Sequence, residues 1–294
     1  GRVIVIGGSS LGGLLKSTEI YDPRTGSFSP GPDMAERRYG AAAVKIDDRR
    51  ILVIGGMDFY GRRLASTEVL DIDRMVFSPD GYLFITSGER QKFTPAQNMA
   101  MNLGKILRLN DDGSVPDDNP FVGNGKVTGQ IWTLGHRNPL GIDFDAEGNL
   151  WAHEMGPRHG DELNIIERGR NYGYPMVSQG DHYSGVKIPN HEDFPIFKAP
   201  EKAWVPAISP AGFIIYKGKL FSNWTGNGFI GGLSSKALVR VTFNQNDKGA
   251  WQVEEAERYE WGKRVREVEQ DDKGNIYVLE DKRDGRLIKL QHNH

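Results

Sequence analysis

Two different strand-turn-strand repeats run through this chain of 294 residues, one in its first quarter and one in the remainder. Arg2-Val-Ile-Val-Ile-Gly7-Gly8 recurs as Arg50-Ile-Leu-Val-Ile-Gly55-Gly56, and Ser17-Thr-Glu-Ile-Tyr-Asp22 recurs as Ser66-Thr-Glu-Val-Leu-Asp71, at offsets of 48 and 49 residues. From about Asp73 a second unit takes over. Phe77-Ser-Pro-Asp-Gly81-Tyr-Leu-Phe-Ile85 returns as Phe144-Asp-Ala-Glu-Gly148-Asn-Leu-Trp-Ala152 and as Gln270-Asp-Asp-Lys-Gly274-Asn-Ile-Tyr-Val278, with a degenerate copy around Ile208 to Phe221.

A chain made of such units has to stack them, because one unit cannot cover its own apolar face. The Val/Ile runs ending in Gly-Gly read as buried inner strands that leave the core where only glycine allows the turn. The later units read as four blades of about 65 residues, each an inner hairpin followed by outer strands: Lys105 to Leu109, Leu163 to Ile166, Leu238 to Phe243 and Arg286 to Leu290. The expectation is all-β: a β-propeller of about six blades, with five also allowed, each blade four antiparallel strands around a central axis. Residues 1–72 and 73–291 would share one propeller domain, with the chain ends in a common blade or side by side.

Charge and composition narrow the function. The 37 basic and 39 acidic residues form no block of like charge, so neither nucleic acid nor a membrane surface is expected as a partner. The chain has no cysteine, which excludes disulfides and thiolate metal sites and leaves the compartment open. No apolar run approaches the roughly 20 residues that span a bilayer, and Gly1 leads straight into strand-like Val3-Ile4-Val5-Ile6. A soluble chain without a leader is the expectation; oligomeric state leaves no mark.

The densest run of special backbone residues is Gly135-His-Arg-Asn-Pro-Leu-Gly141, then Glu154-Met-Gly-Pro157, Gly160-Asp-Glu-Leu-Asn164 and Asn171-Tyr-Gly-Tyr-Pro175. Turn residues at this density suggest a ligand surface of loops on a sheet scaffold. Three longer insertions, Arg90 to Met101, Asn110 to Thr128 and Met176 to Trp204, also read as loops, and loops on one rim usually hold the function.

The first 72 residues resemble the kelch family over about a blade and a half, at a period near the roughly 50 residues of a kelch blade. Residues 73 to 290 resemble the soluble glucose dehydrogenase and aldose sugar dehydrogenase family, a six-bladed propeller that uses pyrroloquinoline quinone (PQQ) with calcium. The signals are the four motifs above together with Arg264-Val-Arg266-Glu-Val. The resemblance implies an oxidoreductase acting on an aldose sugar, periplasmic or secreted as that family is. Arg137 and Asn138 would contact the quinone, and the carbonyls of Gly156 and Pro157 would bind calcium, which prefers hard oxygen ligands. Arg264 and Arg266 would hold the cofactor's carboxylates, a task suited to planar guanidinium groups. Glu89 lies where the family carries an acidic residue near the reacting centre.

The departures are as informative. The family's catalytic histidine aligns with Leu70, which cannot accept a proton, and a lysine near the quinone in some members falls on Ser234, with Lys236 two residues on. No catalytic residue is therefore assigned. A chain that is kelch for 72 residues and quinoprotein thereafter suggests a recombinant or designed chimera, with PQQ and calcium absent or held at an impaired site. Losing a positioned base costs about 10²- to 10⁴-fold in rate. Two alternatives stay open: a hybrid scaffold without enzymatic function, and a kelch-type protein-binding module using Arg37, Arg38, Tyr39, Phe59, Tyr60, Arg62 and Arg63 as an exposed rim. Plainer readings also stand. Gly156-Pro157 also reads as an ordinary turn, Arg264 and Arg266 as surface charge if paired with acids, and His136 as a hydrogen-bonding residue. His153, His159, His182 and His191 show no metal spacing.

Overall fold

The computed structural model describes residues 3–10, 13–22, 27–30, 33–45, 50–54, 57–63, 67–71, 75–282 and 285–291. Among them all regular structure is β-strand, apart from four short 3₁₀ turns. The chain divides into two compact units, Gly1–Met75 and Val76–His294.

In the first unit, Val3–Ile6 pairs with Thr18–Asp22, which pairs with Ser27–Pro30. In a second sheet Ala42–Lys45 pairs with Arg50–Ile54, which pairs with Thr67–Asp71. The two halves of the sequence repeat are thus hydrogen-bonded neighbours in both sheets. Gly7 shows why the repeat ends in glycine: its φ is +58°, and a Cβ would stand 2.5 Å from the Arg38 carbonyl and 2.6 Å from the Met34 methyl. Gly55, Gly56, the 72–74 junction, His292 and His294 lie outside the described residues. Leu70 pairs with Ile51 through its backbone, and its side chain lies outside the described residues.

The second unit holds four antiparallel sheets in chain order. The first is Met75–Phe77, Leu83–Ser87, Lys105–Leu109 and Ile131–Leu134; the second is Pro139–Phe144, Leu150–Glu154, Asp161–Ile165 and Lys202–Trp204. The third is Pro210–Ile215, Gly228–Gly232, Ala237–Gln245 and Trp251–Glu260, and the fourth Val265–Gln270, Ile276–Glu280 and Leu287–Lys289. Pro139–Phe144 packs beside Pro210–Ile215, which packs beside Val265–Gln270, so the leading strands of successive sheets stand side by side as in propeller blades.

One detail differs from the sequence reading. The insertion read as loop to Trp204 ends in a strand, Lys202–Trp204, paired with Asp161–Leu163; three residues are too few for alternation to register. Four strands per blade holds for three sheets of the second unit, whereas the fourth sheet and both larger sheets of the first unit have three among the described residues.

Apolar layers between the sheets bind the second unit together. Phe84, Ile106, Ile142 and Phe144 join its first two sheets; Trp151, Leu163, Phe213 and Val239 its second and third; Tyr216, Phe229, Val268 and Val278 its third and fourth. Each such side chain contributes about 1.5–3 kcal/mol by leaving water. The recurrent turn has its own logic. Asp145 Oδ1 accepts the N–H groups of Glu147 and Asn149, and Oδ2 accepts the Asn149 amide and the Trp151 indole N–H. Asp271 repeats the pattern with Lys273, Asn275 and the Tyr277 hydroxyl. The Asp-x-x-Gly-Asn-x-aromatic signature is a turn in which one carboxylate fastens the next strand's aromatic residue.

Candidate functional site

The chain crosses from Ile131–Leu134, in the first sheet, to Pro139–Phe144, in the second, through Gly135-His136-Arg137-Asn138. Gly135 has φ +79°, and a Cβ there would fall 2.1 Å from Asn171 Oδ1 and 2.5 Å from Gly173 N. One buried carboxylate fixes the crossing. Glu154 Oε2 accepts the Arg137 N–H at 2.6 Å, while Oε1 bonds His136 Nδ1 at 2.9 Å and the Asn164 amide at 3.2 Å. His136 Nε2 meets Thr133 Oγ1 at 2.9 Å, and the imidazole stacks on Tyr172 with centroids 4.6 Å apart. Both ring nitrogens are committed, so His136 is a structural partner.

The Arg137 side chain is buried. Its Nη1 donates to the Met155 carbonyl at 3.0 Å and its Nη2 to the Tyr183 hydroxyl at 3.3 Å, while Nε has no partner among the described residues. The guanidinium lines a cavity of about 190 Å³ with Glu89, Phe93, Pro157, Tyr174, His182 and Tyr183. A narrower recess shares Arg137, Pro157 and Tyr174 with it and reaches Glu154, Gly156 and Glu162.

Gly156 is set by Asp161, whose Oδ1 accepts the Gly156 N–H at 3.0 Å and whose Oδ2 accepts that of Ser209 at 2.7 Å. A Cβ at Gly156 would stand 2.2 Å from the His159 carbonyl and 2.3 Å from that of Gly160. Among the described residues neither the Gly156 nor the Pro157 carbonyl accepts a hydrogen bond. Glu89 is buried and accepts the Phe93 N–H at 2.7 Å.

The remaining sequence candidates are placed elsewhere. Asn138 accepts the Met155 N–H at 3.1 Å and packs its amide against Gly88, outside the cavity lining. Arg264 Nε and Arg266 Nη2 both donate to Asp281 Oδ2, at 2.7 and 2.8 Å, and neither lines the cavity. Ser234 donates to the Ala207 carbonyl, and Lys236 sits in a turn with φ +52°. His159 Nδ1 accepts the Ala207 N–H, and His191 Nε2 bonds the Tyr172 carbonyl. In the first unit Arg38, expected on an exposed rim, is buried against Glu36, and Tyr39 is half-buried; Phe59 and Tyr60 are exposed as expected.

Burial dominates the electrostatics. It raises the Asp161 carboxyl and, together with the charge of Glu154 opposite, holds Glu162 well above the usual carboxylate range. Burial and then the charge of Glu89 push the Tyr174 phenol up to about 12. His191 is pushed down by burial.

Sequence reasoning did not single out Tyr174, His182 or Tyr183 as cavity residues. Tyr174 lies inside the Asn171 to Pro175 motif, and the other two lie in the Met176 to Trp204 insertion, which reads only as a loop. A larger cleft of about 440 Å³, walled by Tyr82, Trp132 and Phe144, lies between the first two sheets at the Asp145 turn. Among the described residues its lining has no unpaired buried polar atom, which is why the smaller cavity is the better chemical candidate.

A family model for glucose/sorbosone dehydrogenase matches residues 64–289, and a kelch motif matches residues 1–35. An uncharacterised protein of Synechocystis sp. is 35% identical over 285 residues, covering 90% of this chain and 66% of that protein. Aldose sugar dehydrogenase YliI of Escherichia coli is 38% identical over 222 residues, covering 74% of this chain and 58% of that one. The chain therefore spans less than two thirds of the length of either relative. Among solved structures, the soluble aldose sugar dehydrogenase of Escherichia coli in its apo form superposes with a TM-score of 0.69 at 27% identity, over 98% of this chain and 99% of that one. A PQQ-bound aldose sugar dehydrogenase from Streptomyces coelicolor, at 20% identity and a TM-score of 0.56 over 98% of both chains, shares the fold.

Proposed function

We propose, from the premise that this chain belongs to the glucose/sorbosone dehydrogenase family, that the Arg137 cavity is a quinone- and calcium-binding site of the aldose dehydrogenase type. One observation carries this reading: a buried guanidinium Nε without a partner shares a cavity wall with Pro157, and the Gly156 and Pro157 carbonyls receive no donor. These residues fit the group. Arg137 would hold quinone oxygens through charge-assisted hydrogen bonds, and the two carbonyls would hold calcium. A bound quinone supplies a two-electron acceptor for the oxidation of an aldose.

The chain's own residues do the positioning. Glu154 fixes the Arg137 backbone, Asp161 fixes Gly156, and Phe93, Tyr174 and Tyr183 form the aromatic wall of the cavity. The cavity of about 190 Å³ lies below the roughly 300–1,000 Å³ of ordinary ligand pockets, so a tricyclic ligand requires the exposed Tyr183 ring to leave Arg137. Glu89 and His182 line the cavity, and the residue aligned with the family's catalytic base is Leu70, which cannot accept a proton, so sugar oxidation should be weak or absent. Calorimetry with PQQ and calcium, beside a dye-reduction assay with glucose, tests this. Calcium-dependent binding with slow turnover supports it; no binding, or turnover at an ordinary enzyme's rate, overturns it.

The kelch match and the family match support a hybrid origin for the chain, while the Synechocystis relative, whose match must reach into the first 72 residues, weighs against it. A second reading, a protein-binding rim in the first unit, is favoured by Phe59 and Tyr60. Both are more than 70% exposed on a turn that Asp58 fastens through the N–H groups of Tyr60 and Arg62. A pull-down partner lost on Phe59→Ala with Tyr60→Ala would support that reading.

A further inference from the structure

Lys105 is the first residue of its strand and has no exposed surface. Among the described residues it has no carboxylate partner; its Nζ instead donates to three carbonyls, those of Pro95 at 2.7 Å, Leu103 at 2.9 Å and Ala96 at 3.0 Å. Three donors on one ammonium meet three acceptors, which fully uses its hydrogen-bonding capacity. An ammonium buried without a counter-ion is costly, and burial pushes Lys105 down to about 8. Its cradle therefore has to do something that a leucine there would not.

What the cradle holds is the cavity. Pro95 and Ala96 lie in the 3₁₀ turn that follows Phe93, and Phe93, with φ +62°, is a wall residue whose ring lies 6.4 Å from Tyr174 and 5.5 Å from His182. The Ala96 carbonyl that Lys105 binds also accepts the Gly135 N–H at 3.0 Å, two residues before Arg137. The next residue, Gln97, donates to the Tyr174 carbonyl at 2.7 Å and exchanges hydrogen bonds with the Asn171 side chain. One segment thus touches three sides of the cavity, and the Lys105 ammonium ties that segment to the sheet.

We propose that Lys105 is a positioning residue for the Arg137 cavity: its ammonium acts as a built-in cation that clamps the 93–97 segment, and through it sets Phe93, Tyr174 and the Gly135–Arg137 crossing. Lys105 reaches no bound ligand itself. The ligand named for the cavity rests on the reading above, whereas the clamp does not.

The test begins on the ligand-free chain, by amide hydrogen exchange at Ala96, Gln97 and Gly135 in wild type, Lys105→Met and Lys105→Ala. Exchange at these three amides should quicken at least about 10-fold in both variants, while Ala152 and Ile230 in the later sheets keep their wild-type rates. In Lys105→Ala, millimolar propylammonium should restore slow exchange, and tetramethylammonium, which has no N–H, should not. The proposal is overturned if the three amides keep wild-type protection in Lys105→Met, if protection is lost equally across all sheets, or if both cations act alike. PQQ titration with calcium adds the functional arm, with at least 10-fold weaker binding by Lys105→Met and recovery of Lys105→Ala by propylammonium. If wild type binds no PQQ the quinone reading fails, and the exchange data still decide the clamp.

Discussion

Two arginine sites that the sequence treats alike are treated differently by the fold. Arg137 is buried, with Nε unpaired and a cavity beside it, whereas Arg264 and Arg266 are nearly half exposed and converge on Asp281. A buried donor without an acceptor costs about 1–3 kcal/mol, so Arg137 stores a deficit that a ligand oxygen would repair. An exposed ion pair is worth about 0–1 kcal/mol and carries no such deficit. Motif matching sees guanidinium groups in both places; only the state of their hydrogen bonds separates one with an open donor from two that are already satisfied.

The sharpest way to break this contrast is to deform the Arg137 side. Gly156→Ala would drive a Cβ to 2.2 Å from the His159 carbonyl and 2.3 Å from that of Gly160, both backbone atoms that cannot swing aside. Stability should fall by about 2–4 kcal/mol, and calcium-dependent PQQ binding should vanish. Urea denaturation and calorimetry read the two effects; unchanged binding would show that the Gly156 carbonyl is no calcium ligand. Arg137→Ala comes next. Its guanidinium donates to the Met155 carbonyl and the Tyr183 hydroxyl, so stability should shift by no more than about 1–2 kcal/mol. PQQ affinity should drop about 100-fold, the loss of about two charge-assisted hydrogen bonds. A drop under 3-fold would remove Arg137 from the site.

The repeats made the fold legible because each has a local physical cause. Asp145 and Asp271 fasten equivalent turns through the same set of acceptors, and Gly7 sits where a Cβ would strike Met34 and Arg38. Such signatures survive in a single sequence. The strands Ile131–Leu134 and Lys202–Trp204 carry no turn motif of their own, and from sequence the second reads as loop; their place is set by the strand they pair with. The site was legible only in part. Glycines, prolines and the His-Arg-Asn run marked the crossing, but the sequence holds no sign that Glu154 would serve both His136 and Arg137, or that Tyr183, 46 residues on, would cover the guanidinium. Nor could it tell that Asp281 would take both later arginines, because the partner lies on the neighbouring strand end.

A smaller effect probes the charge around Arg137. Glu162 stands opposite Glu154 in the same recess, and burial, then the Glu154 charge, raise its carboxyl. Its folded pKa exceeds the unfolded value near 4.5, so between the two the folded chain holds more protons than the unfolded one. Stability from this group is therefore complete below pH 4.5 and is lost as pH rises through the folded pKa. Glu162→Gln should remove that slope and gain about 1 kcal/mol at pH 7. Urea midpoints from pH 4 to 8 measure it; parallel curves for wild type and variant would mean that Glu162 binds its proton equally in the folded and unfolded chain.

The smallest expected effects lie on the other side of the contrast. Arg264→Ala and Arg266→Ala each remove one arm of an exposed pair, so stability should stay within about 1 kcal/mol and PQQ affinity within about 2-fold. The informative partner is Asp281→Ala, which releases both guanidinium groups. If anionic groups of the quinone can reach them, that release should strengthen binding several-fold in the single variant, and the gain should disappear when Arg264 and Arg266 are also replaced. Should Arg264→Ala instead weaken PQQ binding 10-fold in the wild-type background, Asp281 must surrender its arginines on binding, and the two sites would be halves of one. The contrast would then describe only the ligand-free state: Arg137 waits with an open donor, while Arg264 and Arg266 wait with an internal carboxylate in the ligand's place.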